Sequence, residues 1–309
     1  MLPSWTNLSL SQPRKAAGIY IGKRHLSAVV LAYNNGIWEE KSARVVALEQ
    51  ALFDTPPTPA IEADLAKTLS AVAEDIQSGF MPLRIALPDT VIRTSTLELD
   101  ALPKTEKLQM DLLRWRFAKD LQRAEDTITC TGQALGPDND KQLLLGQVME
   151  HNWLDSLQRV FAQAKIIPWT VNAVASYRHN CYYNTLDKTG GALISIDPDN
   201  WGVQMWDSSK RLRYVRSKWR EAALDYELIF SEVERAIRSH SHRANGYQIE
   251  RLYLAGTGAE IEELRNVLDS KLSQSVTGLD IAMLSATSIN NSYPGELLLA
   301  RTAAANYEN

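Results

Sequence analysis

The sequence has little cysteine and no long apolar run. Only two of its 309 residues, Cys130 and Cys181, are cysteines, and neither belongs to a CxxC pair. This spacing fits free thiols in a reducing compartment better than a disulfide framework. No apolar stretch approaches the roughly 20 residues that a membrane-spanning helix needs. Residues 1–15 lack the basic-then-apolar order of a secretory signal, so we expect a cytoplasmic protein.

An excess of positive charge is also missing. The formal net charge is −4, with 33 Lys and Arg against 37 Asp and Glu. No overall basic field therefore argues for binding to nucleic acid or for a polybasic membrane anchor. The chain has no Ser-His-Asp signature, HExxH metal motif, Walker lysine loop or GxGxxG fingerprint. What is present, 45% hydrophobic and 23% charged residues, suits a globular protein with a substantial core.

The clearest short pattern lies near the N-terminus, at residues 18–31 (GIYIGKRHLSAVVL). Apolar residues on either side of Gly22 and Lys23 predict two strands joined by a tight turn. Gly22 gives the backbone freedom that a turn, or the close approach of a ligand, requires. Lys23, Arg24 and His25 at the tip either meet a phosphate or form an ordinary solvated hairpin end. The sequence leaves both interpretations open.

The second half of the chain opens in the same way as the first. Residues 192–197 (ALISID) predict an apolar strand that ends in an acid, and further strands are predicted at 202–206 and 212–217. This internal echo indicates a duplicated architecture. Asp197 is either a carboxylate that holds Mg²⁺ or its waters, or an acid that caps a turn. The Pro198 that follows fits a turn better than a glycine-rich phosphate loop.

A third candidate lies between a predicted strand and a predicted helix. Gly256, Thr257 and Gly258 follow the strand at 249–254 (IERLYL) and precede the helix at 259–272. Missing side chains let a ligand approach, and a helix start offers unsatisfied N–H groups to an anion. A tight turn with no ligand has the same pattern, however, so this motif alone does not decide between the two. A closing helix is predicted at 294–305.

The middle of the chain predicts a separate unit. Between residues 91 and 173, apolar patterns follow the order strand, helix, strand, strand, helix, strand. This order describes a split βαβ, ferredoxin-like module that is inserted into the rest of the fold. We divide the chain into an irregular N-terminal arm (1–15), a first half (16–88 and 168–188), an inserted subdomain (89–167) and a second half (189–309).

Taken together, this layout resembles the actin-like ATPase superfamily, and within it the PilM/MshI group of type IV pilus assembly proteins. The resemblance rests on the order and spacing of three loose motifs. Residues 18–22 resemble the GIDIG of the first phosphate strand, 192–197 the second phosphate strand, and 252–258 (LYLAGTG) the adenosine motif. The resemblance implies an α/β, actin-like (ribonuclease H-like, duplicated) fold with an inserted ferredoxin-like subdomain.

Several positions depart from the pattern of that family. Tyr20 stands where an acid is expected, Lys23 where a hydroxyl follows the glycine, Pro198 where a glycine follows the acid, and Asn172 where a family member has Glu. A tyrosine cannot organise Mg²⁺ as a carboxylate does, and a proline has no N–H to meet a phosphate. Phosphoryl transfer depends on such charge placement. We therefore expect no ATP hydrolysis, no catalytic residues and no metal site.

The resemblance implies at most a vestigial or weak nucleotide site. Its expected cofactors are none, or ATP or ADP bound without turnover. The residues that it assigns to such a site are Gly22, Lys23, Asp197, Gly256, Thr257 and Gly258.

Three functions follow from this resemblance. The first is a cytoplasmic scaffold of a type IV pilus or related secretion assembly. It would bind the cytoplasmic tail of an inner-membrane partner resembling PilN, in a groove beside the inserted subdomain, and would reach the membrane only through partners. The second is an active nucleotide-dependent ATPase or sugar kinase of the same fold, which the lack of an acid at Tyr20 disfavours. The third is a filament former, which the sequence does not distinguish from a scaffold.

Overall fold

The computed structural model describes most of the chain. It covers residues 15–34, 37–76, 81–183, 190–220, 223–243, 249, 251–256, 259–275, 280–283 and 295–305. Of the predicted N-terminal arm only Lys15 is included, and it begins the first strand. Thr257 and Gly258 lie outside the described residues. Within the described ranges, no helix is both long and apolar enough to cross a bilayer.

The described elements are a mixture of strands and helices, with three consecutive strands near the start of each half. In chain order they are β1 (Lys15–Ile21), β2 (His25–Asn34), β3 (Ile37–Ala47), α1 (Pro59–Ile76), β4 (Leu83–Leu87), β5 (Arg93–Leu99), α2 (Glu106–Leu121), β6 (Ile128–Asp138), β7 (Lys141–Glu150), α3 (His151–Gln163), β8 (Thr170–Ala173), α4 (Val174–Tyr182), β9 (Gly191–Ile196), β10 (Asn200–Trp206), β11 (Leu212–Trp219), α5 (Tyr226–Arg243), β12 (Arg251–Ala255), α6 (Ala259–Ser275), β13 (Asp280–Met283) and α7 (Gly295–Ala304).

Two five-stranded sheets share one topology. The first has the order β3-β2-β1-β4-β8 and the second the order β11-β10-β9-β12-β13. In each, three consecutive strands pair antiparallel, and two later strands add in parallel beside the first of the three. The duplication predicted from the internal echo is therefore confirmed. It places the β1–β2 turn and the β9–β10 turn at equivalent points of the two halves.

Strand β1 is buried on both faces of the first sheet. Its Ile19 side chain belongs to the core that also contains Leu65 of α1. On the opposite face, Gly18 lies against α7, where a β-carbon would come within 2.0 Å of the Ala300 carbonyl oxygen. Only glycine permits so close an approach. Although the predicted boundaries put the closing helix in the second half, α7 packs on the first sheet, because its small residues fit this face.

The inserted unit differs from the predicted order at its last strand. Its sheet has three antiparallel strands in the order β5-β7-β6, and α2 covers one face through Leu113 and Phe117. The segment predicted as a fourth strand is β8, which pairs in parallel with β4 of the first sheet. Helix α3 buries Trp153 and Leu157 in the core of the first half. The structural insert is therefore β5 to β7, shorter than the predicted 89–167.

A cluster of charged side chains joins the insert to the second half. Arg213 of β11 is buried and pairs with Asp138 at the end of β6, with Asp207, and with Glu98 of β5. The neighbouring Arg211 pairs with the same two aspartates at 2.9 and 2.8 Å. Because most of these charges are shielded from water, they fix the orientation of the insert more strongly than exposed pairs would.

Candidate functional site

The tips of two hairpins meet where the two halves join, a region that we call the cleft. The first hairpin, β1–β2, presents Tyr20 and Lys23, and the turn of the second hairpin, β9–β10, presents Asp199. The Tyr20 hydroxyl donates to Asp199 Oδ2 at 2.8 Å, and the Lys23 backbone N–H donates to the same oxygen at 3.0 Å. Burial, followed by the charges of Asp199 and Asp197, raises the pKa of Tyr20 well above its ordinary value. Tyr20 therefore remains protonated and able to donate.

Asp197 follows β9 directly and is buried beside Arg178 of α4. The two side chains form an ion pair and are only 3% and 4% exposed. Asn200 Nδ2 also donates to Asp197 Oδ2, at 3.3 Å. Burial raises the pKa of the Asp197 carboxyl, whereas the Arg178 charge opposes that rise. Asp197, which the sequence predicted to hold Mg²⁺ or to cap a turn, instead forms an ion pair with Arg178 of the same chain.

A third buried carboxyl group, Asp89, follows β4. Its Oδ1 accepts a hydrogen bond from the Ala175 N–H at 2.7 Å, in the first turn of α4. Burial raises the pKa of Asp89 to about 7, and the nearby Arg178 opposes this shift. Three carboxyl groups therefore surround the base of the cleft. Among the described residues, no group of three or more His, Cys, Asp or Glu side chains could hold a metal ion.

The Lys23 side chain does not reach into the cleft for a phosphate. Its ammonium group pairs with Asp54 at 2.7 Å and lies 5.4 Å from the centre of the Trp219 ring. At the first hairpin tip, the backbone N–H of Lys23 donates to Asp199, Gly22 lies against it, and His25 Nε2 is 4.0 Å from its Oδ2.

Gly256 lies at the end of β12, beside β9. The register of these parallel strands pairs Ala255 with Ser195. Gly256, the next residue after β12, therefore lies near the end of β9 that leads to Asp197. A β-carbon at Gly256 would be 3.0 Å from the Ile196 carbonyl oxygen, so close packing of the two strands by itself accounts for this glycine. The structure thus brings Gly22, Lys23 and Asp197 to the cleft and leaves Gly256 at its side.

The largest of the described cavities is a groove of about 600 Å³ between the insert and the first half. We call it the insert groove. It is bounded by β6 and β7 on one side, by β8 and α4 on the other, and by the β10–β11 turn. In its wall, Gln147 Nε2 donates to Asn172 Oδ1 at 2.7 Å and to Ser176 Oγ at 2.9 Å. The position where the family pattern has Glu is therefore an amide in this wall.

Two edge strands border the insert groove. Strand β6 is an edge of the insert sheet and β8 an edge of the first sheet, among the strands that the structure describes. Just before β8, the side chains of Ile167 and Trp169 are 87% and 56% exposed. Exposed strand edges and large apolar side chains are common features of surfaces that bind other chains.

Comparison with known proteins identifies the fold. No family model and no curated protein matches the chain. A solved structure of a PilM-PilN type IV pilus biogenesis complex matches with a TM-score of 0.67 at 13% identity, over 94% of this chain and 98% of that chain. A Bacteroides thetaiotaomicron protein with an actin-like ATPase fold matches with a TM-score of 0.57 at 12% identity, over 87% and 91%. The chain has the actin-like fold.

A third match is a domain of a secretion system. It is the cytoplasmic domain of EpsL, an inner-membrane component of the type II secretion system of Vibrio cholerae. The TM-score is 0.51 at 10% identity, over 96% of this chain and 97% of that chain. The predicted α/β, actin-like fold is confirmed by these matches.

The actin-like fold implies ATP with Mg²⁺ in the cleft, and the residues present do not fit it. Asp199 already accepts the hydrogen bond of the Lys23 N–H, and its carboxylate would repel a phosphate there. The buried Tyr20 replaces one metal-organising acid, and Arg178 neutralises the other, Asp197. Pro198 has no N–H to offer. The vestigial or weak nucleotide site assigned to Gly22, Lys23, Asp197, Gly256, Thr257 and Gly258 stays a prediction.

Three residues that matter in the cleft were missed from the sequence. Asp199 lies only two residues after Asp197, and Asp89 ends an apolar strand as Asp197 does, so both had a local signal. Arg178 had none, because one arginine in a short helix gives no sign that it is 97% buried against an acid from another segment.

Proposed function

We propose that this chain is a cytoplasmic scaffold of a type IV pilus or a related secretion assembly. It binds the cytoplasmic tail of an inner-membrane partner resembling PilN, and it does not hydrolyse ATP. The observation that carries the proposal is the insert groove, which lies between two strand edges on an actin-like framework. The likeness to structures from a pilus complex and a type II secretion system supports this choice of machine.

The groove suits an extended peptide. Strands β6 and β8 each have one side without a neighbouring strand in the described sheets, and an added strand would pair with their edge-facing backbone groups. The Thr170 carbonyl of β8 and the Pro137 carbonyl of β6 already accept from Tyr177 and Arg211, so the added strand would use the other groups. Leu135 and Leu145 give the groove apolar contacts, and Gln147 with Asn172 gives it polar ones. Main-chain hydrogen bonds would supply affinity, while these side chains select the sequence of the tail.

The binding test is calorimetric titration with a synthetic peptide. The peptide is the N-terminal cytoplasmic tail of the PilN-like protein from the same organism. Gln133 lines the groove on β6 and is exposed, so Gln133→Trp should fill the groove without disturbing the core. We expect this substitution to raise the Kd about tenfold or more, which corresponds to a loss of at least about 1.4 kcal/mol of binding free energy.

A matched control lies one residue further along the same strand. Ala134 is also exposed on β6, but it does not line the groove. Because successive side chains of a strand point to opposite faces, Ala134→Trp should bind the peptide as the wild type does. No binding by the wild-type chain at high micromolar peptide would count against the proposal, as would equal weakening by both variants.

The lack of hydrolysis has its own test. Asp197 is paired to Arg178, and Tyr20 stands in place of an acid. Within the described part of the chain, the cleft therefore lacks the free carboxylates that would hold Mg²⁺ and stabilise the transition state of phosphoryl transfer. We expect no Mg²⁺-dependent phosphate release from ATP above that of a buffer blank. Clear turnover that disappears in Asp197→Ala would overturn this part of the proposal and favour the enzyme alternative.

A further inference from the structure

We infer that the tip of the first hairpin is an oxyanion site that Asp199 of the second hairpin fills, so that the protein's own carboxylate joins the two halves. One oxygen of this carboxylate accepts both the Lys23 backbone N–H and the Tyr20 hydroxyl. The two donors are 176 and 179 residues away from Asp199 in sequence. The contact is therefore a tertiary bridge between the halves.

Gly22 is the backbone feature that admits the carboxylate. A β-carbon at this position would lie 2.3 Å from Asp199 Oδ2 and 2.8 Å from the His25 ring. Real β-carbons do not approach other atoms so closely, so any larger residue must push the carboxylate away. The glycine that the sequence assigned to a phosphate is thus used for a carboxylate of the same chain.

Two further polar atoms near this cleft have no hydrogen-bond partner among the described residues. His25 Nε2 is 4.0 Å from Asp199 Oδ2, beyond hydrogen-bond reach. Arg178 is 97% buried, and its Nη1 is also without a partner, although its other terminal nitrogen pairs with Asp197. Buried donors are rarely left unsatisfied. A tetrahedral oxyanion has more acceptor oxygens than a carboxylate and would offer one to the His25 nitrogen, which Asp199 does not reach.

This arrangement makes the join between the halves independent of a nucleotide. In the described structure the second hairpin itself supplies the negative group at the first hairpin, and the Arg220 N–H holds the Asp199 backbone carbonyl at 2.9 Å. Removing the carboxylate should therefore expose a site for a small free oxyanion. The inference does not rest on peptide binding in the insert groove, which lies elsewhere.

The test compares thermal unfolding of the full chain in phosphate and in chloride at equal ionic strength. In wild type, Asp199 occupies the site, so the Tm should be the same in phosphate as in chloride. Asp199→Ala should unfold at a lower temperature in chloride. About 50 mM inorganic phosphate should then raise its Tm by about 2–4 °C, with saturation. Asp140→Ala, at the exposed tip of the β6–β7 hairpin, is the matched control and should show no such rise.

Each outcome bears on the inference. A saturable rise in wild type equal to that in Asp199→Ala would overturn it, because the site would then be open in both. An equal rise in Asp140→Ala would also overturn it, since that would be a general salt effect. If Asp199→Ala does not fold in chloride, phosphate should restore folding, and its failure to do so would be a contradiction.

A second measurement tests the contact without any added ligand. In the wild-type background, Gly22→Ala should lower the Tm because it displaces the carboxylate of Asp199. In the Asp199→Ala background, Gly22→Ala should lower the Tm by at most about half as much, because the carboxylate that it would displace is already absent. Equal costs in both backgrounds would mean that Gly22 and Asp199 are not coupled.

Discussion

The buried carboxyl group of Asp89 should make this protein less stable as the pH rises towards 8. The residue is 4% exposed and accepts one hydrogen bond, from the Ala175 N–H. Burial raises its pKa from 3.8 to about 7, even with Arg178 nearby. Asp89→Asn keeps an oxygen for the Ala175 N–H but cannot ionise. The substitution therefore removes the buried charge while leaving the hydrogen bond in place.

The sign and size follow from proton linkage. The folded state binds the Asp89 proton more tightly than the unfolded chain, because its pKa is raised. This contribution to the free energy of unfolding is fully present below about pH 4 and is lost as the pH rises through about 7. At about 1.4 kcal/mol per pKa unit, a shift of roughly three units sets a ceiling of about 4 kcal/mol. Burial also raises the pKa of Asp197, which acts in the same direction.

Urea unfolding at pH 5 and at pH 8 measures this effect. Asp89→Asn should be more stable than wild type at pH 8, by up to about 4 kcal/mol, with a smaller difference at pH 5. The control is Asp100→Asn, because Asp100 is fully exposed and its pKa is lowered by its hydrogen bond to Lys141. Its effect should be small and nearly the same at pH 5 and pH 8, because the lowered pKa of Asp100 places its titration below this window. If Asp89→Asn instead loses more stability at pH 8 than at pH 5, the ionised carboxylate is stabilising and our reasoning is refuted.

Two further predictions concern packing and charge. Gly18→Ala should destabilise by about 3 kcal/mol or more in urea unfolding, since its β-carbon meets the rigid Ala300 carbonyl at 2.0 Å. Gly202→Ala, whose nearest atom is 3.3 Å away, is the control and should cost far less. Arg213→Met should cost up to about 3 kcal/mol, because Asp138 and Asp207 then keep only Arg211 of the two arginines that pair with them. It should also speed amide hydrogen exchange at the β6–β7 turn, and unchanged exchange there would contradict a role in holding the insert.

Much of the framework could be predicted because its signals are local. The turn at Gly22 and Lys23 is confirmed between β1 and β2, and the apolar run 192–197 agrees with β9 within one residue. The closing helix, predicted at 294–305, is α7 at Gly295–Ala304. Strand alternation, helical spacing and turn residues are each set by neighbours in sequence. The partners of these elements are not set by sequence neighbours. The sequence therefore placed α7 in the second half and α3 in the insert, whereas α7 packs on the first sheet and α3 buries side chains in the core of the first half.

The sequence by itself determined that Tyr20 and Pro198 stand where the actin-like pattern has an acid and a glycine. Those two residues already argued against phosphoryl transfer. Only the tertiary structure decided what fills the cleft instead. Tyr20 and Asp199 are 179 residues apart, and Arg178 reaches Asp197 from a different element. Such contacts depend on how two sheets and a helix are brought together, and the chain carries no local signal for them.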